Sequence, residues 1–175
     1  MMLKLKRTPG LYLLGFMASG KTTIGYAVAQ KLGWSFADLD SEIEREQGSS
    51  IADIFALHGE PHFRELESDV IRRHIGRIEA GLPWVIALGG GAILRPANWE
   101  LIQNNGVTVW LDCPLEVVRR RLGDDVTRPL ARDRAGLARL YETRRPLYSR
   151  ADFRIEIDSD DAIEAASRIL RLPIF

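Results

Sequence analysis

The chain has 175 residues and a mass of 19.7 kDa, which suits one domain with a sizeable core. The 24 Lys and Arg residues balance the 24 Asp and Glu residues, and this balance excludes a general nucleic-acid-binding protein, which needs a basic surplus. The single cysteine excludes an internal disulfide and a multi-thiolate metal site. The apolar runs have the length of strands and are too short to cross a membrane. We therefore expect a cytoplasmic protein with one domain, residues 1–175.

The charged residues are unevenly distributed along the chain. Residues 38–79 contain 11 acidic and 5 basic side chains, whereas residues 119–154 contain 11 arginines, 5 acidic residues and no lysine. Such blocks can simply be solvated helix faces. Arginine, however, offers a planar fork of donors that matches carboxylate and phosphate groups. The basic block therefore also fits a compact anionic ligand.

Strand-like and helix-like segments alternate. Short apolar runs predict five strands, and apolar residues three or four positions apart predict the helices between them. Strands each followed by a helix indicate a parallel sheet with helices on both faces, and ligands of such sheets lie beyond the carboxyl ends of the strands. In chain order we predict a strand at 10–15, a helix at 21–32, a strand at 35–37, helices at 51–58 and 61–78, a strand at 84–88, a helix at 96–103, a strand at 107–111, a helix at 114–122, a loop at 123–135, a helix to about 149, a strand at 153–157 and a helix at 161–170.

Residues 15–22 match the phosphate-binding pattern G-x-x-x-x-G-K-[ST] without a mismatch, after a predicted strand and at the start of a predicted helix. In such a loop, backbone N–H groups and the helix N-terminus bind phosphates, the lysine reaches the β- and γ-phosphates, and the hydroxyl of Thr22 is a ligand for Mg²⁺. The guanine-specifying pattern N-K-x-D is missing, so we predict a small ATP-dependent kinase with Mg²⁺ as cofactor. The predicted nucleotide contacts in this loop are Gly15, Ala18, Ser19, Gly20, Lys21, Thr22 and Thr23.

Further polar motifs follow the later predicted elements. Singly, each has a plain interpretation: Asp38 and Asp40 as helix caps, Arg64 and Glu67 as a surface ion pair, and the three glycines as a tight turn. Together, in one order after a phosphate loop, they are difficult to explain separately. The motifs are Asp38-Leu39-Asp40, Phe63-Arg64-Glu65-Leu66-Glu67, Gly89-Gly90-Gly91, Arg128-Pro129-Leu130 and Arg144-Arg145-Pro146-Leu147-Tyr148.

This series resembles the shikimate kinase family, with the likeness running from about residue 11 to residue 170. The resemblance implies a P-loop kinase fold of the nucleoside monophosphate kinase type, a three-layer α/β/α sandwich with a five-stranded parallel sheet. It also implies substrate-binding helices at about 40–79 and a mobile lid at about 123–135. The implied reaction is phosphorylation of the 3-hydroxyl of shikimate by ATP in aromatic amino-acid biosynthesis. The implied partners are these small molecules, with no nucleic acid and no membrane, and the protein would be a monomer.

The resemblance also implies roles for individual residues. Lys21, Asp40 and Arg128 would be catalytic, with Arg128 closing over the phosphates on the lid and Asp40 either orienting or deprotonating the attacking hydroxyl. Asp38 would hold Mg²⁺ through water beside Thr22, and Arg121 would lie near the adenine and phosphates. The implied contacts to shikimate are Asp40, Phe63, Arg64, Gly89, Gly90, Gly91 and Arg144, with Glu67 holding Arg64.

Independent chemistry agrees with these roles, because a substrate with a carboxylate and hydroxyls needs an arginine fork at one end and a carboxylate at the other. Two departures from the family are visible: the lid motif reads Arg-Pro-Leu-Ala, and the segment from Arg128 to Arg144 is short. Separately, Arg145 beside Arg144 leaves the carboxylate-binding arginine open by one position, although the R-x-P-L-Y spacing favours Arg144. Two other functions remain as alternatives: a related kinase acting on gluconate or a nucleotide, and a non-catalytic ATP-sensing module.

The remaining candidates for chemistry favour structural roles. The three histidines lack the spacing of a metal site and are expected at or near the surface. Cys113 follows a predicted strand and is expected to be a core or loop cysteine. The four tryptophans are scattered and are expected to serve packing.

Overall fold

A computed structural model of the chain describes residues 10–123 and 133–174 and contains one five-stranded sheet. The strands lie in the order β2-β3-β1-β4-β5, and every neighbouring pair is parallel. The predicted α/β fold is therefore confirmed. The strands are β1 (Gly10–Leu14), β2 (Ser35–Asp38), β3 (Trp84–Ala87), β4 (Val107–Asp112) and β5 (Phe153–Glu156).

Seven α-helices and one short 3₁₀ helix, Ala92–Leu94, occur in the described part of the chain. Helix α2 was not among the helices predicted from the sequence. It begins directly at the end of β2, and Asp38 is its N-cap. The residues that were interpreted as the end of a strand and a loop therefore form the start of a helix. The helices are α1 (Lys21–Leu32), α2 (Leu39–Gln47), α3 (Ile51–Glu79), α4 (Pro96–Asn104), α5 (Leu115–Leu122), α6 (Arg134–Tyr148) and α7 (Ala162–Leu170).

Helix α3 is broken near its first third. Gly59 has φ 80° and ψ 167°, outside the helical region, and Pro61 follows two residues later. A glycine adopts this backbone at little cost, and a proline suits the first turn of a helix because it has no N–H to satisfy. The break confirms the prediction of two helical stretches here, and it changes the chain direction just before Arg64.

The sheet forms the centre of the core. All five residues of β1 are buried, and the helices cover the sheet, α1 packing against β2, β3 and α7 while α4 packs against β4 and α3. Because the strands are parallel, the loops after β1, β2, β3 and β4 all leave at the same edge, where the predicted motifs lie. In residues 10–123 and 133–174, no helix is both long and apolar enough to cross a bilayer.

Candidate active site

The phosphate-binding loop joins β1 to α1. Lys21 donates from Nζ to the carbonyl oxygens of Gly15 and Phe16, at 2.9 Å each, so its side chain folds back across the loop. Gly20 has φ 96° and precedes the first helical residue. Burial lowers the pKa of Lys21, while Asp40 and Asp38 act in the opposite direction. A half-buried cation at a helix N-terminus is the arrangement that binds phosphate.

Arg121 connects this loop to the end of β5. Its Nη1 donates to the carbonyl oxygen of Ala18 at 3.0 Å, and its Nε donates to Asp160 at 3.0 Å. Ala18 has φ 57°, the left-handed region that costs a residue with a side chain about 1 kcal/mol or more. Arg121 therefore supports the strained turn of the loop and lies at the position predicted for a nucleotide contact.

Asp38 serves two elements at once. Its Oδ1 accepts from the backbone N–H of Ser41 at 3.1 Å, which caps helix α2, and its Oδ2 accepts a short hydrogen bond from the hydroxyl of Thr22. The cap interpretation was right for Asp38 but not for Asp40, which lies inside the first turn of α2. The contact brings together a hydroxyl and a carboxylate, the oxygen ligands that Mg²⁺ prefers.

Asp40 lies where the phosphate loop meets the second group of polar residues. Burial raises the pKa of its carboxyl group, and the positive charges of Lys21 and Arg64 counteract the shift. A methyl group on Gly89 would lie 2.5 Å from Oδ1 of Asp40 and 2.9 Å from Oε1 of Glu67. The glycine backbone therefore approaches both carboxylates more closely than any other residue would allow.

Arg64 is held by two carboxylates on its own helix. Its Nη1 donates to Glu67 at 2.8 Å, and its Nε and Nη2 donate to Glu60 at 3.1 and 2.9 Å. Burial alone would lower the pKa of Arg64, but Glu67 and Glu60 raise it overall. A side chain on Gly91 would collide with the guanidinium, which lies against that backbone. The pair of Arg64 and Glu67 is thus buried beside the glycine segment rather than a surface ion pair.

The two consecutive arginines of α6 point to different partners. Arg144 donates to the carbonyl oxygen of Gly90 at 3.3 Å, whereas Arg145 donates to Asp112 at 2.6 and 3.2 Å. Burial lowers the pKa of Arg144, as does the nearby charge of Arg64. Within the described residues Arg144 has no ion-pair partner. Arg144 and not Arg145 therefore faces the glycine segment, in line with the motif spacing.

A cleft of about 1080 Å³ runs along this edge of the sheet. The second cluster of predicted residues, built on α3, the glycine segment and α6, adjoins the cleft at Asp40. Of the nucleotide contacts, Ser19 is fully buried beneath the loop. Arg128 and most of the predicted lid, residues 124–132, lie outside the described residues. The predicted residues that line the cleft are Ala18, Gly20, Lys21, Thr22, Thr23, Asp38, Asp40 and Arg121.

Phe63 lies under Arg64. It is 4% exposed, its ring packs on Phe55 at 4.8 Å between centroids, and the Arg64 guanidinium carbon lies 5.2 Å from the ring centre. Phe63 therefore supports Arg64 from below, and its predicted role as a wall of the acceptor pocket stays a prediction.

Sequence reasoning gave no role to Glu60 and Tyr148, which touch the predicted site, or to Asp112, which holds Arg145 beside it. Glu60 lies four positions before Arg64, a spacing that signals an ion pair on a helix. Tyr148 ends a motif that was quoted without a role for its hydroxyl, which donates to Gly90 at 2.6 Å. Asp112 ends β4, the position where functional side chains collect in parallel sheets.

The histidines, the cysteine and the tryptophans were expected to have structural roles. His74 is buried and pairs with Glu42 at 2.7 Å, so one histidine is deeper than expected. Burial lowers the pKa of His74, with Glu42 opposing the shift. Cys113 is buried, as predicted for a core cysteine. Trp99 and Trp110 are also buried in the core.

Comparison with known proteins agrees with this geometry. The family model "Shikimate kinase" matches residues 17–172. A shikimate kinase of Persephonella marina is 40% identical over 91% of this chain and 96% of its own length, and one of Nostoc punctiforme is 43% identical over 93% of this chain and 89% of its own. The structure of the Acinetobacter baumannii shikimate kinase in complex with shikimate superposes with a TM-score of 0.87, at 37% identity, covering 96% of this chain and 94% of that one. The chain therefore belongs to the shikimate kinase family.

Proposed function

We propose that this chain transfers the γ-phosphoryl group of ATP to the 3-hydroxyl of shikimate, giving shikimate 3-phosphate and ADP for aromatic amino-acid biosynthesis. The observation that carries the proposal is the position of Asp40. Its carboxylate lines the cleft together with Lys21, lies beside Gly89 of the second cluster, and is within electrostatic reach of both Lys21 and Arg64. A phosphoryl donor and an anionic acceptor bound at the two ends would meet at this residue.

At the donor end, the loop Gly15–Thr22 binds the phosphates through its backbone N–H groups and Lys21. Phosphoryl transfer needs positioning and charge neutralisation more than covalent help, so a half-buried lysine at a helix N-terminus supplies the main protein contribution. Arg121, held between Ala18 and Asp160, lies beside the nucleotide. Arg128 remains a prediction from the sequence.

The donor end also fits Mg²⁺. The hydroxyl of Thr22 and the carboxylate of Asp38 are in contact, and together they offer a direct ligand and a group that binds through water. A bound magnesium ion would neutralise charge on the β- and γ-phosphates. In our proposal these two residues position the ion, and Asp38 keeps its second oxygen on the cap of α2.

At the acceptor end, Arg64 and Arg144 bind the carboxylate of shikimate. Two arginines bring their charges together here even though Arg64 lowers the pKa of Arg144, which is a cost that an anionic ligand relieves. The backbone of Gly89, Gly90 and Gly91 lines the same space. Glu67, fully buried, fixes Arg64 in place.

Asp40 accepts a hydrogen bond from the attacking hydroxyl, to orient it or to take its proton. Burial raises the pKa of Asp40, which makes the carboxylate a better proton acceptor than an exposed aspartate. Membership of the shikimate kinase family favours this function over a gluconate kinase or an ATP-sensing module. The proposal treats residues 1–175 as one domain with acceptor-binding helices at 40–79. The cytoplasmic location, the monomeric state and the lack of nucleic-acid or membrane partners stay predictions.

The test is ADP release from Mg·ATP with shikimate, with gluconate and without an acceptor, followed by a coupled assay. ADP release with shikimate alone is the expected result, and Lys21→Ala, in which the phosphate-binding cation is lost, should abolish it. Release with gluconate but not with shikimate would show that the acceptor was assigned wrongly. ATP binding without turnover on either acceptor would favour the sensing module.

A further inference from the structure

We propose that Glu60 competes with the carboxylate of the acceptor for Arg64 and so sets the affinity of the site for its anionic substrate. The inference rests on the proposed function, and it assigns a role to a residue outside the predicted site. In this role Glu60 accepts hydrogen bonds from Arg64 until the carboxylate of a ligand displaces Glu60.

The hydrogen bonds of Arg64 show which of its donors Glu60 occupies. A guanidinium has five N–H donors, and its Nε and Nη2 form a fork that suits one carboxylate. Oε1 of Glu60 accepts from both atoms of this fork, at 3.1 and 2.9 Å. Glu67 accepts from Nη1 at 2.8 Å on another side. A ligand that needs the Nε and Nη2 fork must therefore replace Glu60.

The two glutamates differ in how easily they can leave. The side chain of Glu67 is 1% exposed, so moving Arg64 away from it would leave a buried carboxylate without its ion-pair partner. The side chain of Glu60 is 56% exposed and can return to water. Glu60 also directly follows Gly59, where the helix is interrupted, so no regular helical turn precedes it. Glu67 is therefore a permanent partner of Arg64 and Glu60 an exchangeable one.

The charges around the cluster point the same way. Arg64 and Arg144 contribute two positive charges, and Asp40, Glu60 and Glu67 contribute three carboxylates within their electrostatic reach. Lys21, which also acts on Asp40, balances the third carboxylate, so an anionic ligand added without loss of Glu60 would give the set a negative excess. An exchange of one carboxylate for another leaves the net charge of the cluster unchanged. A neutral ligand gains nothing from displacing Glu60, because it does not take over the fork.

The proposed competition predicts whether the affinity for the substrate rises or falls when Glu60 is removed. If Glu60 only held Arg64 in a productive orientation, its removal would weaken substrate binding. Since Glu60 instead occupies the donors that the substrate uses, its removal should tighten binding. Exposed ion pairs are weak and charge-assisted hydrogen bonds are stronger, so we expect a gain of about three- to tenfold in affinity.

The experiment is calorimetric titration of the full chain with shikimate and, separately, with its methyl ester, which lacks the negative charge. The variants are Glu60→Gln and Glu60→Ala, and Glu65→Gln serves as the control because it removes the same charge from an exposed position of the same helix. We expect both Glu60 variants to bind shikimate about three- to tenfold more tightly than the control, while the ester changes less than twofold. Thermal melts confirm that each variant is folded.

If the wild type binds shikimate and both Glu60 variants bind it with unchanged or weaker affinity, the inference is wrong and the proposed function still stands. An equal gain for shikimate and its ester would also overturn it, because the effect would then be independent of the ligand carboxylate. A wild-type chain that binds Mg·ATP but not shikimate would overturn the proposed function and the inference with it.

Discussion

The hydroxyl of Tyr148 donates a hydrogen bond of 2.6 Å to the carbonyl oxygen of Gly90, the same oxygen that accepts from Arg144 at 3.3 Å. The two donors lie four residues apart on α6, so one turn of this helix holds the middle of the glycine segment. The shorter bond belongs to the buried tyrosine, which is 2% exposed. Tyr148 thus satisfies the carbonyl group, and the guanidinium of Arg144 keeps donors for a ligand.

Tyr148→Phe should raise the KM for shikimate about three- to tenfold, because a hydrogen bond worth about 1 kcal/mol no longer holds Gly90 beside Arg144. The KM for ATP should not change. Steady-state kinetics with each substrate varied in turn measures both values. Tyr26→Phe is the control, since the hydroxyl of Tyr26 only meets Gln30 at the surface. An equal rise in both KM values would contradict a local role.

Arg144→Ala and Arg145→Ala should separate substrate binding from stability. Arg144→Ala removes a group that faces the glycine segment, so we expect the KM for shikimate to rise on the order of a hundredfold with little change in melting temperature. Arg145→Ala leaves Asp112, which is 6% exposed, with Arg154 as its remaining partner, and should cost about 2 kcal/mol in the free energy of unfolding. Urea denaturation and kinetics on both variants provide the comparison. The opposite pattern would reassign the carboxylate-binding arginine to position 145.

Asp40→Asn should lower kcat about a hundredfold or more, the usual contribution of a positioned acid or base. It should also stabilise the fold at neutral pH. Because burial raises the pKa of Asp40 above its ordinary 3.8, the folded protein holds this proton more tightly than the unfolded chain. The charged carboxylate therefore costs stability as the pH rises above that value, and the neutral amide avoids the cost.

Thermal melts of Asp40→Asn and the wild type between pH 4 and pH 8 measure this effect. The difference in melting temperature should be largest near pH 8 and shrink toward pH 4. Glu65→Gln, at an exposed position, should show no such trend. A lower melting temperature of Asp40→Asn than of the wild type near pH 8 would mean that the attraction of Lys21 and Arg64 for the Asp40 carboxylate outweighs burial.

Gly89→Ala should destabilise the protein by about 1–3 kcal/mol, the usual cost of overpacking, because its Cβ would lie 2.5 Å from Oδ1 of Asp40. Gly90→Ala is the matched control, since its Cβ would meet the Tyr148 hydroxyl at 3.5 Å, an ordinary contact. Urea denaturation of both variants measures the difference. Equal stability would show that Asp40 can move away from the glycine segment without cost.

Much of the architecture follows from local patterns. The apolar runs predicted all five strands, and the separate helices predicted at 51–58 and 61–78 anticipated the break in α3, because strand burial and proline backbone effects depend on neighbouring residues. The apolar pattern did not predict helix α2, for a related reason. Its nine residues, Leu39–Gln47, include only two large apolar side chains, Leu39 and Ile43, too few to show a helical period.

What the sequence by itself determined is the strand-and-helix order and the phosphate loop, since eight consecutive residues carry that site and its function depends on their backbone. Only the tertiary structure decided how the second cluster is assembled. Arg144 and Tyr148 reach Gly90 across 54 and 58 positions of the chain, and Arg145 turns to Asp112 across 33. Contacts over such separations depend on how the helices pack on the sheet, which spacing along the chain does not encode. The motif spacing favoured Arg144 over Arg145, but the contact of Arg144 with Gly90 and of Arg145 with Asp112 became visible only when packing placed each side chain beside its partner.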